Sequence, residues 1–254
     1  GVGSKHDRDG TALDLSPASR WGLGGALALR FAAKGYHVVL LARRKEAVAD
    51  AIAAEVTKDG GVATALACDV LSDESVGQAF GAAQALGSID VVVFNAAPGF
   101  PPGRGFGNLP KPHEVDPEYL QKGFDVGVTG FLRCVRVAVP EMLARGTGTI
   151  LVSGATMSLR GGPNFACMSP IKFALRSLTQ SMYQEYAPQG VHVAHIIIDG
   201  VIDSPNTHDW GSNMMLMDPA DLADAYVALV DQPSSVWSQE IQLGTSKGSL
   251  GMRL

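Results

Sequence analysis

Four places in this chain hold residues with something to offer chemically. The first is Pro17-Ala18-Ser19-Arg20-Trp21-Gly22-Leu23-Gly24, which separates the short apolar run Ala12–Leu15 from an amphipathic stretch. Glycine in such a turn lets backbone N–H groups approach a pyrophosphate, and a helix opening there favours its charge. Glycine turns are common, so the strand before and the helix after give this one its weight. The second is Arg43-Arg44, after the run His37–Leu41. An adenosine ribose would lie there. Where an acidic residue would take a 2′-hydroxyl, the chain has Ala42 then Arg43, and a guanidinium suits a 2′-phosphate. Arg20 offers a second positive charge. The third place is a pair of run ends, Cys68-Asp69-Val70 and Asn95-Ala96-Ala97. The fourth is Lys172, with the hydroxyls of Ser153, Thr156, Ser158 and Ser169 nearby in sequence.

Each of these has a plain alternative. Arginines open helices as solvated caps, Asp69 and Asn95 are ordinary strand-end residues, and unperturbed hydroxyls are too weakly acidic for easy proton donation. Lys172 either serves as an acid with a depressed pKa or only binds a ribose. His192 and His195 lie in an apolar run and read as packed residues, whereas His113 and His208 fall in irregular segments where a substrate pocket would open. No spacing of His, Cys and Asp suggests a metal site.

The elements that must position these residues follow from the hydrophobic pattern. Apolar runs at Ala12–Leu15, His37–Leu41, Val62–Ala67, Val91–Phe94, Thr149–Val152, Val191–Ile198 and Glu240–Leu243 suit strands buried on both faces of a parallel sheet. Helical patterns lie between them at Gly22–Ala33, Lys45–Lys58, Asp73–Ala85, roughly Pro117–Ala144, Phe165–Tyr186 and Pro219–Val230. This alternation means βαβ units in an α/β, doubly wound parallel sheet of about seven strands, a Rossmann fold. Residues 1–10 read as a flexible N-terminal segment and residues 11–254 as a single domain. Two irregular stretches, Pro98–Asp116 and Gly200–Asp218, follow strand C-terminal ends, where open α/β sheets bind ligands. One residue offends the pattern. Asp14 sits within the run that should be the most buried strand, and a carboxylate there costs at least several kcal/mol without a partner. Either that strand pairs differently, or Asp14 has a partner, or residues 1–17 depart from a true strand.

Bulk properties narrow the partners. The chain of 254 residues is 46% hydrophobic and 18% charged, enough to bury a core. A formal net charge of -5 with scattered basic residues gives no reason to expect nucleic acid. No apolar run reaches membrane-spanning length, residues 1–10 are too polar for a secretory core, and three distant cysteines suit reduced thiols. These features point to a cytoplasmic protein with no membrane partner.

Taken in order, the motifs resemble the short-chain dehydrogenase/reductase family over nearly the whole chain after residue 10. The family turn is Gly-x-x-x-Gly-x-Gly; Gly22 and Gly24 match it, and Ala18 replaces the first glycine. The resemblance implies that Asp69, beside Val70, caps adenine, that Asn95 lies beside the ribose, and that backbone after Gly200 and Ser204 meets the nicotinamide carboxamide. The segment Ile150–Leu178 carries the closest likeness, through Arg160-Gly161-Gly162-Pro163 and Lys172-Phe173-Ala174. There the family has a Tyr four residues before the Lys, a Ser thirteen residues before the Tyr, and a helix Asn. Those positions hold Met168, Ala155 and Gly127, and no Tyr occurs between Tyr119 and Tyr183. Of four catalytic residues only Lys172 remains. Ser153 shares a strand face with Ala155, about 7 Å further in.

The resemblance implies an NADP(H)-dependent oxidoreductase acting on an unknown carbonyl or alcohol with a degenerate catalytic set. The alternatives are an NADP(H)-binding protein without turnover, and a non-redox isomerase, lyase or cyclase reusing the pocket. It also implies a homodimer or homotetramer through two helices bearing Phe131, Val135, Val137, Phe173, Leu178 and Met182.

Overall fold

A computed structural model describes residue 7, residues 11–105 and residues 108–248. The segment assigned to residues 1–10 lies outside these apart from Asp7, as does the domain's end from residue 249. The described chain forms an α/β fold of parallel strands flanked by helices. The strands are β1 (His37–Ala42), β2 (Val62–Ala67), β3 (Val91–Phe94), β4 (Gly148–Ser153), β5 (Val191–Ile198) and β6 (Glu240–Leu243). The helices are α1 (Pro17–Ala33), α2 (Asp50–Lys58), α3 (Asp73–Gln84), α4 (Pro117–Phe124), α5 (Gly130–Arg145), α6 (Ser169–Tyr186) and α7 (Pro219–Val230). Five-residue π-helical turns, Lys45–Ala49 and Asp125–Thr129, lead into α2 and α5.

Four helices begin on side-chain caps that satisfy an otherwise orphaned N–H. Ser16 accepts from Ser19 N before α1, Ser72 from Ser75 N before α3, Asp116 from Glu118 N before α4, and Asp218 from Ala220 N before α7. α1 and α7 pack together on one face with Leu23, Leu27, Phe31, Leu222 and Tyr226 against Leu151, Ala194 and Ile196. α3, α5 and α6 cover the other face through Phe80, Phe131, Met142, Leu175 and Met182. That packing consumes most of the surface expected to form an oligomer. Phe131, Val135 and Met182 are core residues, and Val137 and Leu178 pack against them. Phe173 stays exposed, together with Leu132.

The sheet is where expectation fails. Six strands form among the described residues, in two separate ladders: β1 beside β2, and β3-β4-β5-β6. The run Ala12–Leu15 is a turn ahead of α1, closed by the Leu15 N–H to Ala12 O bond, with Leu13 and Asp14 exposed. Asp14 explains this. A carboxylate in solvent costs nothing, whereas the same group in a strand covered on both faces would need a partner or a proton. The doubt about Asp14 is therefore resolved by the absence of the strand.

Candidate active site

β4 and β5, buried along almost their whole length, aim their C-terminal ends at the loops that hold the site. At the end of β4, Lys172 from the first turn of α6 reaches back and donates its Nζ to Ser153 O at 3.0 Å. The ammonium is buried, and desolvation holds its pKa down to about 8. Met168 is the N-cap residue of α6, and its carbonyl accepts the Lys172 N–H. Ala155 follows β4 in extended backbone and is half-buried.

Gly127 lies in the π-helical turn before α5, tight against α6. A Cβ placed on it would come within 2.8 Å of Ile171 Cγ2. The position expected to bear a helix Asn is therefore closed by the neighbour of Lys172.

The hydroxyls near Lys172 are all committed. Ser153 Oγ shares a 2.7 Å hydrogen bond with the buried phenol of Tyr226, on the α7 side of the sheet. The Ser153 hydroxyl is thus engaged by Tyr226, while its carbonyl meets Lys172. Thr156 donates to Asp199 at 2.8 Å, Ser158 Oγ accepts from Ala155 N, and Ser169 donates to the carbonyls of Met157 and Arg160. Burial pushes the Tyr226 phenol well above its ordinary value, the Ser153 bond opposing it only in part.

His195 is fully buried and bonds Glu240 through Nδ1 at 2.9 Å, while Arg176 holds the same carboxylate at 2.6 Å. Desolvation lowers the His195 pKa despite Glu240, so the ring is neutral and donates Nδ1–H. His192 stacks on Trp237 at 4.8 Å and bonds Ser238 O. Both histidines are packed residues, as their place in an apolar run implied. His208 sits beside Asp203, which raises its pKa, on the wall of a small second cavity.

At the other end, the α1 turn contains a backbone that glycine makes possible. Gly22 adopts φ 61° and ψ -169° between two helical stretches, a conformation other residues rarely take. Leu23 beside it is a core residue. Ser19, next to Ala18, donates to Asp203 at 2.7 Å, which ties this turn to the loop carrying Gly200 and Ser204. Ser204 is turned inward onto Thr207 at 2.8 Å, and Gly200 lies against Met217. Arg20 is occupied: Asp7 takes its Nε at 2.6 Å and its guanidinium lies 4.7 Å from the Trp21 ring centre. Arg43 stays exposed.

Gly24, Arg43, Asp69, Val70 and Asn95 line one cavity of about 1370 Å³. Within it, an Asp69 carboxylate oxygen accepts from Leu71 N at 3.0 Å and stiffens the turn after β2. Ala18, Arg20, Gly22, Leu23, Lys172, Gly200 and Ser204 are outside that lining. Spacing in sequence gave no sign of the ties Asp7–Arg20, Ser19–Asp203, Ser153–Tyr226 or Glu240 with His195 and Arg176. Each joins segments that meet only in the fold.

A parallel α/β sheet thus carries a glycine turn within α1 and a buried lysine at the end of β4. The family model for short chain dehydrogenases matches residues 18–214, and the chain belongs to that family. It is 30% identical over 191 residues to the human Dehydrogenase/reductase SDR family member 4 (Homo sapiens), covering 75% of this chain and 66% of that protein. A short-chain dehydrogenase from Rhodopseudomonas palustris superposes with a TM-score of 0.74 at 31% identity, over 88% of this chain and 93% of that one. A metagenomic short-chain oxidoreductase solved in complex with NADP gives 0.73 at 26% identity, over 89% and 92%.

Proposed function

We propose that this chain binds NADP(H) and carries out hydride transfer with a carbonyl or alcohol substrate, through a site that lacks the family's usual proton donor. The observation that carries the reading is the one cavity that Gly24, Arg43, Asp69 and Asn95 line together, with the buried amine of Lys172 held at the end of β4 outside that lining. The residues suit the group. Arg43 and Asp69 share a cavity wall, Gly22 holds a conformation that lets backbone come close, and a helix N-terminus lies beside it. Arg43 would meet the 2′-phosphate, with Arg20 joining only on leaving Asp7. Asp69 and Val70 would flank the adenine, Asn95 and Lys172 the two riboses, and Gly200 and Ser204 the carboxamide. When bound, the dinucleotide supplies or accepts a hydride.

Met168 and Ala155 take the places of the phenol and its hydroxyl partner. A thioether has no proton to give, so this chain's own contribution is binding, alignment and exclusion of water. Lys172, at a pKa of about 8, is the one group at hand that exchanges a proton near neutrality. Met168 also favours a second reading, in which the dinucleotide binds without turnover. The two separate in a single-turnover experiment with NADPH and an electrophilic diketone. Loss of NADPH with matched appearance of hydroxyketone supports the first, and unchanged NADPH with saturable binding supports the second. We further place the protein in the cytoplasm as a homodimer or homotetramer, with Phe173 and Leu132 as the apolar contacts. The three buried free thiols support the location, and light scattering at micromolar concentration tests the assembly. Among the described residues, no helix is long and apolar enough to cross a membrane.

A further inference from the structure

α6 presents two cations to the sheet, one helical turn apart. Lys172 donates to Ser153 O at the end of β4, and Arg176, four residues on, grips Glu240 of β6 through bonds of 2.7 and 2.6 Å. His195 of β5 joins them, its Nδ1 donating to the same carboxylate at 2.9 Å. Val193 packs with the core under α5 and α6, whereas Ala194 and Ile196 pack with α1 and α7, so alternation along β5 puts His195 on the α6 face. Lys172 and Arg176 of α6 and Glu240 of β6 are the charged groups that act on the ring. The chemistry proposed above uses only the first of these four side chains.

The far nitrogen of the ring is uncommitted. His195 is fully buried, and its Nε2 has no hydrogen-bond partner among the described residues. With the proton on Nδ1, Nε2 is a bare lone pair, an acceptor that is costly to bury unused. It lies against Gly154, where a Cβ would collide with Nε2 and Cε1, so the missing side chain is what admits the ring. Gly154 directly follows Ser153, whose carbonyl anchors the Lys172 amine. The lone pair and the amine therefore flank the same stretch of backbone. Other groups near the amine are occupied. The hydroxyls of Ser153, Thr156 and Ser158 are bonded elsewhere, and Gly127, tight against Ile171, brings no polar side chain from the α5 side.

We infer that His195 and Glu240 form a proton outlet for Lys172, leading from the buried amine across one bridging water to His195 Nε2, and from Nδ1 to the Glu240 carboxylate. The water would have the amine and Nε2 as polar partners, within the two to four that a buried water needs. The protons balance. Lys172 gives one to the water, the water gives one to Nε2, and Nδ1 gives one to Glu240. The lysine ends as a neutral amine, the ring stays neutral in its other tautomer, and Glu240 becomes a carboxylic acid. Glu240 is 20% exposed and Arg176 favours its ionised form, so that proton passes on to solvent. The reverse sequence recharges the amine. His195 is thus a positioning and relay residue that acts through Lys172. Its part in turnover rests on the proposed function, whereas the outlet itself needs no dinucleotide.

The test uses the full chain without cofactor. NMR reads the exchange of the Lys172 ammonium protons with water at pH 6–7, together with the ¹⁵N shifts of the His195 ring. The wild type is expected to show Nδ1 protonated and Nε2 bare. His195→Gln is expected to slow the exchange about 100-fold, the lower end of what positioned proton transfer contributes. Glu240→Gln is expected to do the same, because an amide oxygen still accepts from the ring but takes no proton. His192→Gln, on the opposite face of β5, is expected to leave the exchange unchanged. An Nε2 found protonated at neutral pH overturns the inference, and this reading on the wild type stands even where a variant fails to fold. Unchanged exchange in His195→Gln, or equal slowing by His192→Gln, also overturns it and leaves His195 as a tie between β5 and β6. The single-turnover measurement with NADPH is separate, so loss of the proposed reaction leaves this result readable.

Discussion

β4 and β5 lie deep in the sheet, each with a partner on both edges, and the groups beyond their C-terminal ends are tied down. β1 and β3 are rich in valine, leucine and phenylalanine too, yet among the described residues each keeps one open edge beside a cavity. The contrast teaches that apolar patterning makes a strand but does not by itself complete a sheet. The run Ala12–Leu15, which carries Asp14, lies outside the sheet as a turn ahead of α1. The solid half holds Lys172, Met168 and Ala155; the open half holds Arg43, Asp69 and Asn95. Perturbing one half at a time is therefore informative.

The largest effect is expected in the solid half. On the proposed reading, Met168 and Ala155 stand in the places of phenol and hydroxyl, and hydride transfer to a ketone leaves an alkoxide without a donor. General acid catalysis contributes about 10²–10⁴-fold, or about 3–5 kcal/mol of barrier. The double variant Met168→Tyr with Ala155→Ser is expected to gain up to about that factor in kcat on activated diketones, with the two changes more than additive. Wild-type rates already equal to the double variant's would mean that another group, Lys172 foremost, supplies the proton.

In the open half, Arg43 is the group to remove. A charge-assisted contact to the 2′-phosphate is worth about 1.5–3 kcal/mol, so Arg43→Ala is expected to weaken NADPH by roughly 10- to 150-fold. NADH, which lacks that phosphate, is expected to lose little. Calorimetry on both dinucleotides decides it, and equal losses would detach Arg43 from the ribose.

The contact between Gly127 and Ile171 gives a smaller, structural test. Restoring the family's asparagine through Gly127→Asn forces a side chain into Ile171, and overpacking of this kind costs about 1–3 kcal/mol. Ile171→Ala, which makes room, is expected to recover much of the loss in denaturant unfolding, although it leaves its own smaller cavity in the glycine background. No recovery in the pair would mean that the cost arises from the π-helical turn itself.

These positions also mark where reading the sequence succeeded. Six of the seven expected strands formed, because β-branched runs without internal charge have one favourable place to go. The seventh was flagged by Asp14, and the flag was correct about the difficulty while the run was still counted as a strand. The helix that carries Lys172 was legible in the helical pattern over Phe165–Tyr186. What surrounds it was not: Ser153 bonding to Tyr226, seventy-three residues on, and Glu240 bonding to both His195 and Arg176, are meetings made by the fold. Arg20 was legible as a positive charge near the turn, but its partner Asp7 came from a segment read only as polar and flexible.

The last test concerns protonation in the solid half, and the sign of the effect is fixed by burial. Lys172 has a folded-state pKa of about 8, lowered from 10.5 by desolvation. Below pH 8 both the folded and unfolded chains hold the proton, so the penalty of burying the ammonium is fully present. Between about 8 and 10.5 the unfolded chain keeps its proton and the folded chain has released it. The unfolded state then binds more protons, and stability attributable to this group rises with pH across that window, by at most about 1.4 kcal/mol per pH unit. Lys172→Met removes the titrating group while keeping an unbranched side chain in the same space. Urea unfolding of the two chains from pH 7 to 10 is therefore expected to show the wild type gaining on the variant as pH rises. A difference that stays flat, or that shrinks, would mean that the Ser153 carbonyl and nearby water hold Lys172 protonated throughout. It would then be a fixed cation at the ribose and not a proton carrier.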